Sequence, residues 1–463
     1  MERSELEQYG ITWTFDRPVE CGKFITGDWW IVGPVTVTDV TPGPGPARSG
    51  EMTKTVKSSY GTVAMVDDSR MRNGSMIVLR AGIDQGYDSR IVNYDPSISI
   101  RFPCALQPNQ TLISSVSHET FPVEVMHALL WKAEQTGTLA LKSAAVLTCV
   151  KQAPPHDAFR PPYAGVEGTI YQAKAIQWDL LPRLAPAGAV PDWSQFERYF
   201  ERPWLDHIES WLLQVTGPSE NQVNYGREFS RINSMASLML LLDVSPERKE
   251  KLLRGFIQWG IDLSGLVKCG RKWSGDGGHW NGRKWPILFA GLLLGDAELQ
   301  ALPSSPDALF SEDQQTYYGK SWDGQRALYQ MVWHTLARRP YEEKDPKTWD
   351  HFDQRSDGYR GVCSCGWPGT ALAAMLMKAK ALWNHDAFFD YCDRWMEHDT
   401  DPERKSLSLP ATGGGVRVDP FVQAMWTAYR KQIPEQPCSS SWRKWIWNDM
   451  EKGLGQFVPN DHP

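Results

Sequence analysis

Three polar segments, predicted to be loops at residues 221–227, 271–284 and 349–361, contain the side chains best suited to acid–base chemistry. Together they offer a neutral amide, an imidazole, several guanidinium groups and a phenol. The predicted catalytic residues are Asn224, His279, Arg355 and Tyr359, and the predicted substrate-binding residues are Tyr225, Trp273, Trp280, Asn281, Arg283, Lys284 and Arg360. This combination suits β-elimination on a uronic acid, in which the proton next to a carboxylate is removed and a glycosidic oxygen leaves.

Each step of that reaction needs a group that these segments supply. Removing a proton α to a carboxylate requires that the carboxylate charge be neutralised, which Asn, His or Arg donors can do. A base takes the C5 proton, and an acid, commonly Tyr, protonates the leaving oxygen. We expect the positive charges of Arg355 and Arg360 to assist Tyr359 in that role.

Other interpretations of these residues stay open at the level of sequence. A glycoside hydrolase needs two opposed carboxylates, and Asp276 and Asp357 are the alternative acid and base. A non-catalytic glycan-binding protein would use Trp and Arg contacts alone. Asn224 could instead cap the following helix, and Tyr359 could sit in a loop held by ion pairs. Cationic and amide groups outnumber carboxylates in residues 271–296, which favours elimination.

The segment 271–296 must position several of these groups. Pro286 suits the first turn of a helix, where its missing N–H is not needed. Residues 287–294 have no polar face, so the helix is expected to be buried on all sides. The cationic and polar groups at its N-terminal end predict a floor for an anionic ligand.

Composition restricts the class of protein. A chain of 463 residues predicts two or three domains. Its net charge of −6 argues against nucleic acid as a partner. No apolar run is long enough to span a bilayer. The 22 Trp residues favour a carbohydrate partner, a polysaccharide or oligosaccharide, because an indole face suits the C–H face of a sugar ring.

Cysteine spacing and the N-terminal residues bear on cofactor and compartment. The eight cysteines do not form paired metal-binding motifs, so no metal site is predicted. No cofactor is expected to be required, whereas a structural Ca²⁺ and the oligomeric state stay open. The N-terminus has no apolar signal core, which indicates a cytoplasmic chain as it stands, or a periplasmic or extracellular one from which a signal peptide has been removed.

The periodicity of the chain changes along its length. Residues 1–155 contain short β-branched runs separated by turn residues, with Ile11, Trp13 and Phe15 alternating with Thr, and they predict an antiparallel β-sandwich-like domain. Residues 156–192 form a Pro-rich linker that is expected to wrap the next domain. From residue 193 to 463, about ten helical segments, including 324–339 and 439–453, predict an (α/α) toroid or barrel with the catalytic groove at its mouth.

This organisation resembles that of polysaccharide lyases with an (α/α) toroid fold. The order Asn224, His279, then Arg355 and Tyr359 is similar to the constellation of alginate and glucuronan lyases. The resemblance implies that Asn224 neutralises the carboxylate with help from His279. It also implies that His279 or Tyr359 is the base, that Tyr359 is the acid and that Arg355 orients the substrate.

Overall fold

The chain divides into two compact units in a computed structural model. The described residues are 1–46, 53–57, 63–67, 71–89, 91, 93–118, 140–209, 216–223, 225–275, 277–332, 341–399, 418–437, 443–449 and 454–459. The sheet unit comprises Met1–Ile176, Glu197–Asn224 and Glu250–Arg271, and the helical unit comprises Gln177–Phe196, Tyr225–Lys249 and Lys272–Pro463. The chain passes repeatedly from one unit to the other, whereas the sequence predicted consecutive segments with limits near residues 155 and 192.

The sheet unit is built on one eight-stranded sheet that curls into a half-barrel. Its strands are β1 (Glu2–Gln8), β2 (Ile11–Lys23), β3 (Trp29–Val32), β4 (Val35–Thr41), β9 (Ser75–Met76), β10 (Cys104–Leu106), β11 (Thr111–Ser117) and β12 (Leu141–Val150). The order is β10-β4-β2-β3-β12-β11-β9, with β1 also paired to β2. The β3–β12 pair is parallel, and the other described pairs in this sheet are antiparallel. Two small antiparallel pairs join β5 (Gly45–Pro46) to β8 (Met71–Arg72) and β6 (Thr53–Lys57) to β7 (Val63–Asp67).

The alternating pattern predicted for the first strands is confirmed. Ile11, Trp13 and Phe15 are all buried in the core of the sheet unit. The residues between them are partly exposed, as expected when successive side chains point to opposite faces. The Trp13 indole N–H donates to the Ser114 hydroxyl at 3.0 Å, so the buried ring leaves no polar group unpaired.

The described part of the helical unit contains more helix than strand, and the described chain is of mixed α and β structure. The described α-helices are α1 (Trp193–Phe200), α2 (Gly226–Leu240), α3 (Pro246–Lys268), α4 (Lys284–Leu294), α5 (Ala297–Ala301), α6 (Ser311–Gln315), α7 (His351–Ser364), α8 (Pro368–Leu376), α9 (Lys380–Trp383), α10 (Asp386–Arg394) and α11 (Pro420–Tyr429). Helices α1 and α3 extend into the sheet unit. Two hairpins accompany them, β13 (Thr316–Tyr318) with β14 (Ala327–Tyr329) and β15 (Arg443–Asp449) with β16 (Leu454–Pro459). Within the described residues, no helix has the length and apolarity needed to cross a lipid bilayer.

Two predicted helices are wrong. Residues 443–449, inside the predicted helix 439–453, form strand β15, because a Trp-Ile-Trp run suits a paired strand better than a helix. Residues 327–329, inside the predicted helix 324–339, form strand β14, and residues 333–340 lie outside the described part.

The segment 349–361, predicted to be a loop, is mostly helix. Helix α7 begins after Asp350, whose carboxylate accepts from the backbone N–H groups of Phe352 and Asp353, both at 2.9 Å. Asp353 in turn accepts from the Asp350 N–H at 3.2 Å. This reciprocal capping box starts a helix in spite of the polar sequence that follows.

The predicted burial of the 287–294 helix is confirmed. Helix α4 begins at Lys284, with Pro286 in its first turn, and every residue except Leu292 is buried. It ends at Gly295, whose φ of +64° is a left-handed conformation that favours glycine. This buried helix anchors the polar turn that precedes it.

Candidate functional site

A turn of two glycines, Gly277 and Gly278, is the centre of the candidate site in the helical unit. A Cβ at Gly277, where φ is +56°, would lie 2.8 Å from Cε1 of Tyr359. A Cβ at Gly278 would lie 2.7 Å from Cγ1 of Val362 and 2.8 Å from the Tyr225 hydroxyl. Only glycine fits at either position, and the turn is thereby pressed between two tyrosine side chains.

His279 follows this turn and faces Tyr225. The two rings meet edge to face, with centroids 5.1 Å apart. The first residue of helix α2, Gly226, packs closely against the backbone of His279. A Cβ at Gly226 would lie 2.1 Å from the His279 carbonyl oxygen. The structure therefore brings together three predicted site residues from separate segments: Tyr225, His279 and Tyr359.

The imidazole of His279 is held in its neutral form. Burial lowers the pKa of His279 to about 4, and the positive charge of Arg283 contributes in the same direction. The side chain still retains some exposed surface. The imidazole is therefore in its base form at neutral pH, and its low pKa makes it a weaker base than an ordinary histidine.

Tyr359 and Arg355 lie on helix α7, one turn apart. Tyr359 is half-buried, Arg355 is exposed, and the guanidinium carbon of Arg355 lies 6.0 Å from the centroid of the Tyr359 ring. The spacing of four residues places both side chains on the same face of the helix. Arg355 can therefore reach an anionic group bound near the phenol.

The short helix α6, with sequence Ser-Glu-Asp-Gln-Gln, supports the glycine turn from within the protein. All five residues are buried. The Gln315 amide donates to the carbonyl oxygens of Gly275 and Gly277, at 2.9 and 2.7 Å. Glu312 accepts from the Gly282 N–H at 2.6 Å. Burial raises the pKa of the Glu312 carboxyl, because the charged form is unfavourable away from water.

Sequence reasoning missed helix α6. Five consecutive polar residues predict an exposed segment, and nothing in their spacing indicates burial. Their role becomes visible only when the backbone groups they bind, such as the carbonyl of Gly277, are in place. A buried polar segment is tolerated here because the loop of residues 275–284 supplies its partners.

The seven residues predicted to bind substrate are all buried, with exposed fractions of 0 to 8%. They are Tyr225, Trp273, Trp280, Asn281, Arg283, Lys284 and Arg360. Direct contact with a polymer is therefore not supported for them. We assign them to the framework that holds His279 and Tyr359.

Specific contacts account for this framework role. The Lys284 ammonium donates to the Asp313 carboxylate and to the Trp383 carbonyl oxygen, each at 2.5 Å. The Arg283 guanidinium donates to the Asn281 carbonyl oxygen at 2.8 Å and stacks 3.7 Å from the centroid of the Phe229 ring. Because these cations are used internally, the prediction of an anion-binding floor at the start of α4 is not supported.

The other framework residues are similarly engaged. The Asn281 side-chain oxygen accepts from Ser311 at 2.9 Å and from the Trp367 indole at 3.2 Å. Trp273 stacks on Phe310, with ring centroids 5.6 Å apart.

Arg360 and Asp357 are partners of each other rather than of a substrate. The Arg360 Nε donates to the Asp357 carboxylate at 2.8 Å, and Arg360 also lies 3.7 Å from the Glu342 carboxylate. Asp357 is 4% exposed, so its predicted role as an alternative acid or base is not supported. Two further predicted residues, Asn224 and Asp276, lie outside the described residues.

Metal ligands do not cluster in the described part of the helical and sheet units. There, no group of three or more His, Cys, Asp and Glu side chains could hold a metal ion. The seven cysteines described by the structure are free thiols.

Comparison of the chain with protein-family models, curated proteins and solved structures finds no match.

Proposed function

We propose that this chain is a polysaccharide lyase that cleaves a uronic-acid-containing glycan by β-elimination. The observation that carries the proposal is that a neutral imidazole and a half-buried phenol both lie at one glycine turn. His279 and Tyr359 belong to segments 80 residues apart by number, yet both flank Gly277 and Gly278.

The proposed roles follow from the state of each group. His279 is the base: its neutral imidazole takes the C5 proton while the C4–oxygen bond breaks and a C4–C5 double bond forms. Tyr359 is the acid that gives its proton to the leaving glycosidic oxygen. Solvent then returns the proton from the imidazole to the phenolate, so both groups are reset without consuming water as a reactant.

Neutralisation of the substrate carboxylate is assigned to Arg355 and Asn224. Arg355 is the exposed cation on the same face of α7 as Tyr359. Electrostatic stabilisation of the charge that develops on the carboxylate is expected to be the largest single contribution to catalysis. The role of Asn224 rests on its place in the sequence directly before Tyr225.

Hydrolysis is the less favoured alternative. It requires two carboxyl groups facing one bond, and Asp357 is bound to Arg360. Glu312 and Asp313 are both buried: Glu312 accepts from the Gly282 N–H, and Asp313 accepts from the Lys284 ammonium.

The proposal also includes an architecture and a location. We propose that the helical unit is an (α/α) toroid, that the sheet unit is a β-sandwich-like domain and that the protein acts in the periplasm or outside the cell. These follow from the same resemblance to toroid-fold lyases.

The test is a panel of uronic-acid polymers, including alginate and glucuronan, incubated with the full chain. A lyase generates an unsaturated product, measured as new ultraviolet absorbance that rises together with new reducing ends. Reducing ends without that absorbance would show hydrolysis. Neither signal on any polymer would contradict the proposal.

A further inference from the structure

A cleft of about 570 Å³ lies between two segments of the helical unit. One wall is the 3₁₀ turn Trp178–Leu180 and the chain that follows it to Arg183. The other wall is the connection from α2 into the first turn of α3, residues 243–249. None of its lining residues belongs to the glycine turn or to helix α7.

Backbone hydrogen bonds fix these walls to each other. The Leu184 N–H donates to the Leu241 carbonyl oxygen at 2.9 Å, and the Asp243 N–H donates to the Leu184 carbonyl oxygen at 2.8 Å. The cleft is therefore preformed, and its volume lies in the range of about 300–1,000 Å³ that is usual for sites of small ligands.

Lys249 is the residue whose surroundings indicate that the cleft binds a ligand. It lines the cleft and is only 5% exposed, and among the described residues it has no hydrogen bond and no ion pair. Burial lowers its pKa, while the charge of Asp243 opposes this shift and that of Arg183 adds to it. Burial of a lysine side chain whose ammonium has no partner among the described residues is unfavourable, and a ligand carboxylate in the cleft would supply that partner.

The remaining side chains narrow the class of ligand. Arg183 provides a second cation, and the half-buried indole of Trp178 provides a flat apolar face of the kind that packs on a sugar ring. Asp179 and Asp243 can accept hydrogen bonds from hydroxyl groups, and their charges disfavour a dianion such as phosphate. A ligand with one carboxylate and several hydroxyl groups satisfies all of these side chains.

We propose that this cleft is a binding site for a uronate sugar unit, separate from the catalytic turn. The choice of sugar class rests on the proposed function, whereas the need for an anionic partner rests on Lys249 alone. Such a site would hold the polymer at a second point and raise its effective concentration at the catalytic turn.

The experiment is isothermal titration calorimetry, which measures the dissociation constant of glucuronate for the full chain. Glucose and inorganic phosphate are the comparison probes. Glucuronate has no glycosidic bond, so its binding is independent of turnover. We expect Lys249→Gln to weaken glucuronate binding by about tenfold or more, since a charge-assisted hydrogen bond is lost. Lys249→Arg is expected to retain binding within about threefold, and Lys431→Gln, at an exposed lysine, to leave it unchanged.

A second measurement on the unmodified chain avoids dependence on the folding of a variant. Glucuronate is expected to protect Lys249 from acetylation, followed by mass spectrometry, while Lys431 is acetylated equally with and without the sugar. Equal acetylation of Lys249 with and without glucuronate would overturn the proposal.

The titration outcomes separate this inference from the proposed function. Glucuronate binding that depends on Lys249 supports the cleft even if no polymer is cleaved. Undiminished binding in Lys249→Gln overturns it even if the chain proves to be a lyase. Phosphate that binds as tightly as glucuronate overturns the assignment to a uronate.

Discussion

His279 differs from an ordinary surface histidine in two respects that bear on catalysis. Burial and the charge of Arg283 bring its pKa to about 4, and its ring packs edge to face on Tyr225. The first property keeps the imidazole unprotonated at neutral pH, and the second restricts how the ring can turn. The base form is therefore present and held in place, although its low pKa makes it a weaker base than an ordinary histidine.

The pH dependence of turnover tests this assignment. Because the lowered pKa keeps His279 neutral until the pH falls to about 4, kcat/KM should hold down to about pH 5 and then decline as the imidazole becomes protonated. A histidine with the ordinary pKa of 6.5 would lose the base form far earlier. The measurement is kcat/KM against pH on a cleaved polymer. An acid limb centred near pH 6.5 would contradict the assignment.

The residue types predicted candidates for the acid and the base, but they did not predict that the residues around these candidates are buried. Arg283 and Lys284 are cations that could bind an anionic substrate. In the structure they instead donate hydrogen bonds inside the protein, to the Asn281 carbonyl oxygen and to the Asp313 carboxylate. The sequence cannot distinguish these cases, because the partner of Lys284 lies on a segment 29 positions away. Burial of a cation is decided by such long-range contacts.

At the scale of elements, the site depends on how a turn and a helix meet. Gly277 and Gly278 let the turn approach the rings of Tyr359 and Tyr225, and helix α7 presents Tyr359 and Arg355 on one face. Helix α6 fixes the turn through Gln315 and Glu312. A change that moves the turn should therefore affect catalysis more than it affects stability.

Gly278→Ala is the change that moves the turn. Its Cβ would lie 2.7 Å from Val362 and 2.8 Å from the Tyr225 hydroxyl, so the turn must shift. We expect kcat/KM to fall by about 10- to 100-fold, because displacement of a catalytic group by about 1 Å is costly. The matched control is Gly358→Ala on α7, where the added Cβ meets no atom within 4 Å. If both variants kept full activity, the turn would have no role in positioning His279.

The start of helix α7 provides a stability prediction. Asp350→Ala removes the carboxylate that caps two N–H groups, and we expect the free energy of unfolding to fall by about 1 kcal/mol. Asp350→Asn keeps an acceptor at the cap and should lose only a fraction of that value. Urea denaturation of the two variants measures the difference. An unchanged free energy of unfolding in Asp350→Ala would show that the cap contributes nothing.

Element boundaries were predicted well where one signal dominated and poorly where two competed. The apolar run of α4 has one interpretation, a buried helix, and it is observed. In residues 349–361 the polar composition suggested a loop, although Asp350 and Asp353 carry the spacing of a capping box. In β15, the Trp445-Ile446-Trp447 run fits a strand, and pairing with β16 decided the outcome.

At the scale of the whole molecule, each unit is stabilised by polar contacts in its interior as well as by an apolar core. In the sheet unit, the Arg160 guanidinium donates to Asp262 at 2.8 and 2.6 Å and to Asp28 at 3.0 Å. All three side chains are at most 3% exposed. This cluster joins residues from distant parts of the sequence and is expected to be sensitive to loss of any member.

Asp262→Asn tests that expectation. It leaves the buried Arg160 with a single carboxylate, and we expect the free energy of unfolding to fall by about 3–5 kcal/mol. The control is Asp16→Asn, which removes an exposed pair with Arg17 at 3.6 Å and should cost less than about 1 kcal/mol. The midpoints of urea denaturation give both values. A loss for Asp262→Asn as small as that of the control would mean that the cluster does not stabilise the unit.

The assignment of chain segments to the two units could not be predicted from their order in the sequence. The β-rich character of the first part and the helical character of the second follow from the period of the apolar residues. Helix α3 was predicted to belong wholly to the helical part, yet most of it, from Glu250 onward, belongs to the sheet unit. The period of the apolar residues shows which face of a helix is buried, but it does not show which unit that face packs against.

The most direct test of the central claim is the rate of β-elimination by Tyr359→Phe. Removing one oxygen leaves the ring against Gly277 and takes away the proton that the leaving group requires. On a polymer that the unmodified chain cleaves, we predict a loss of about 10²–10⁴-fold in kcat, measured by ultraviolet absorbance of the unsaturated product, with an unchanged near-ultraviolet circular dichroism spectrum. Turnover within about threefold of the unmodified chain would contradict the account.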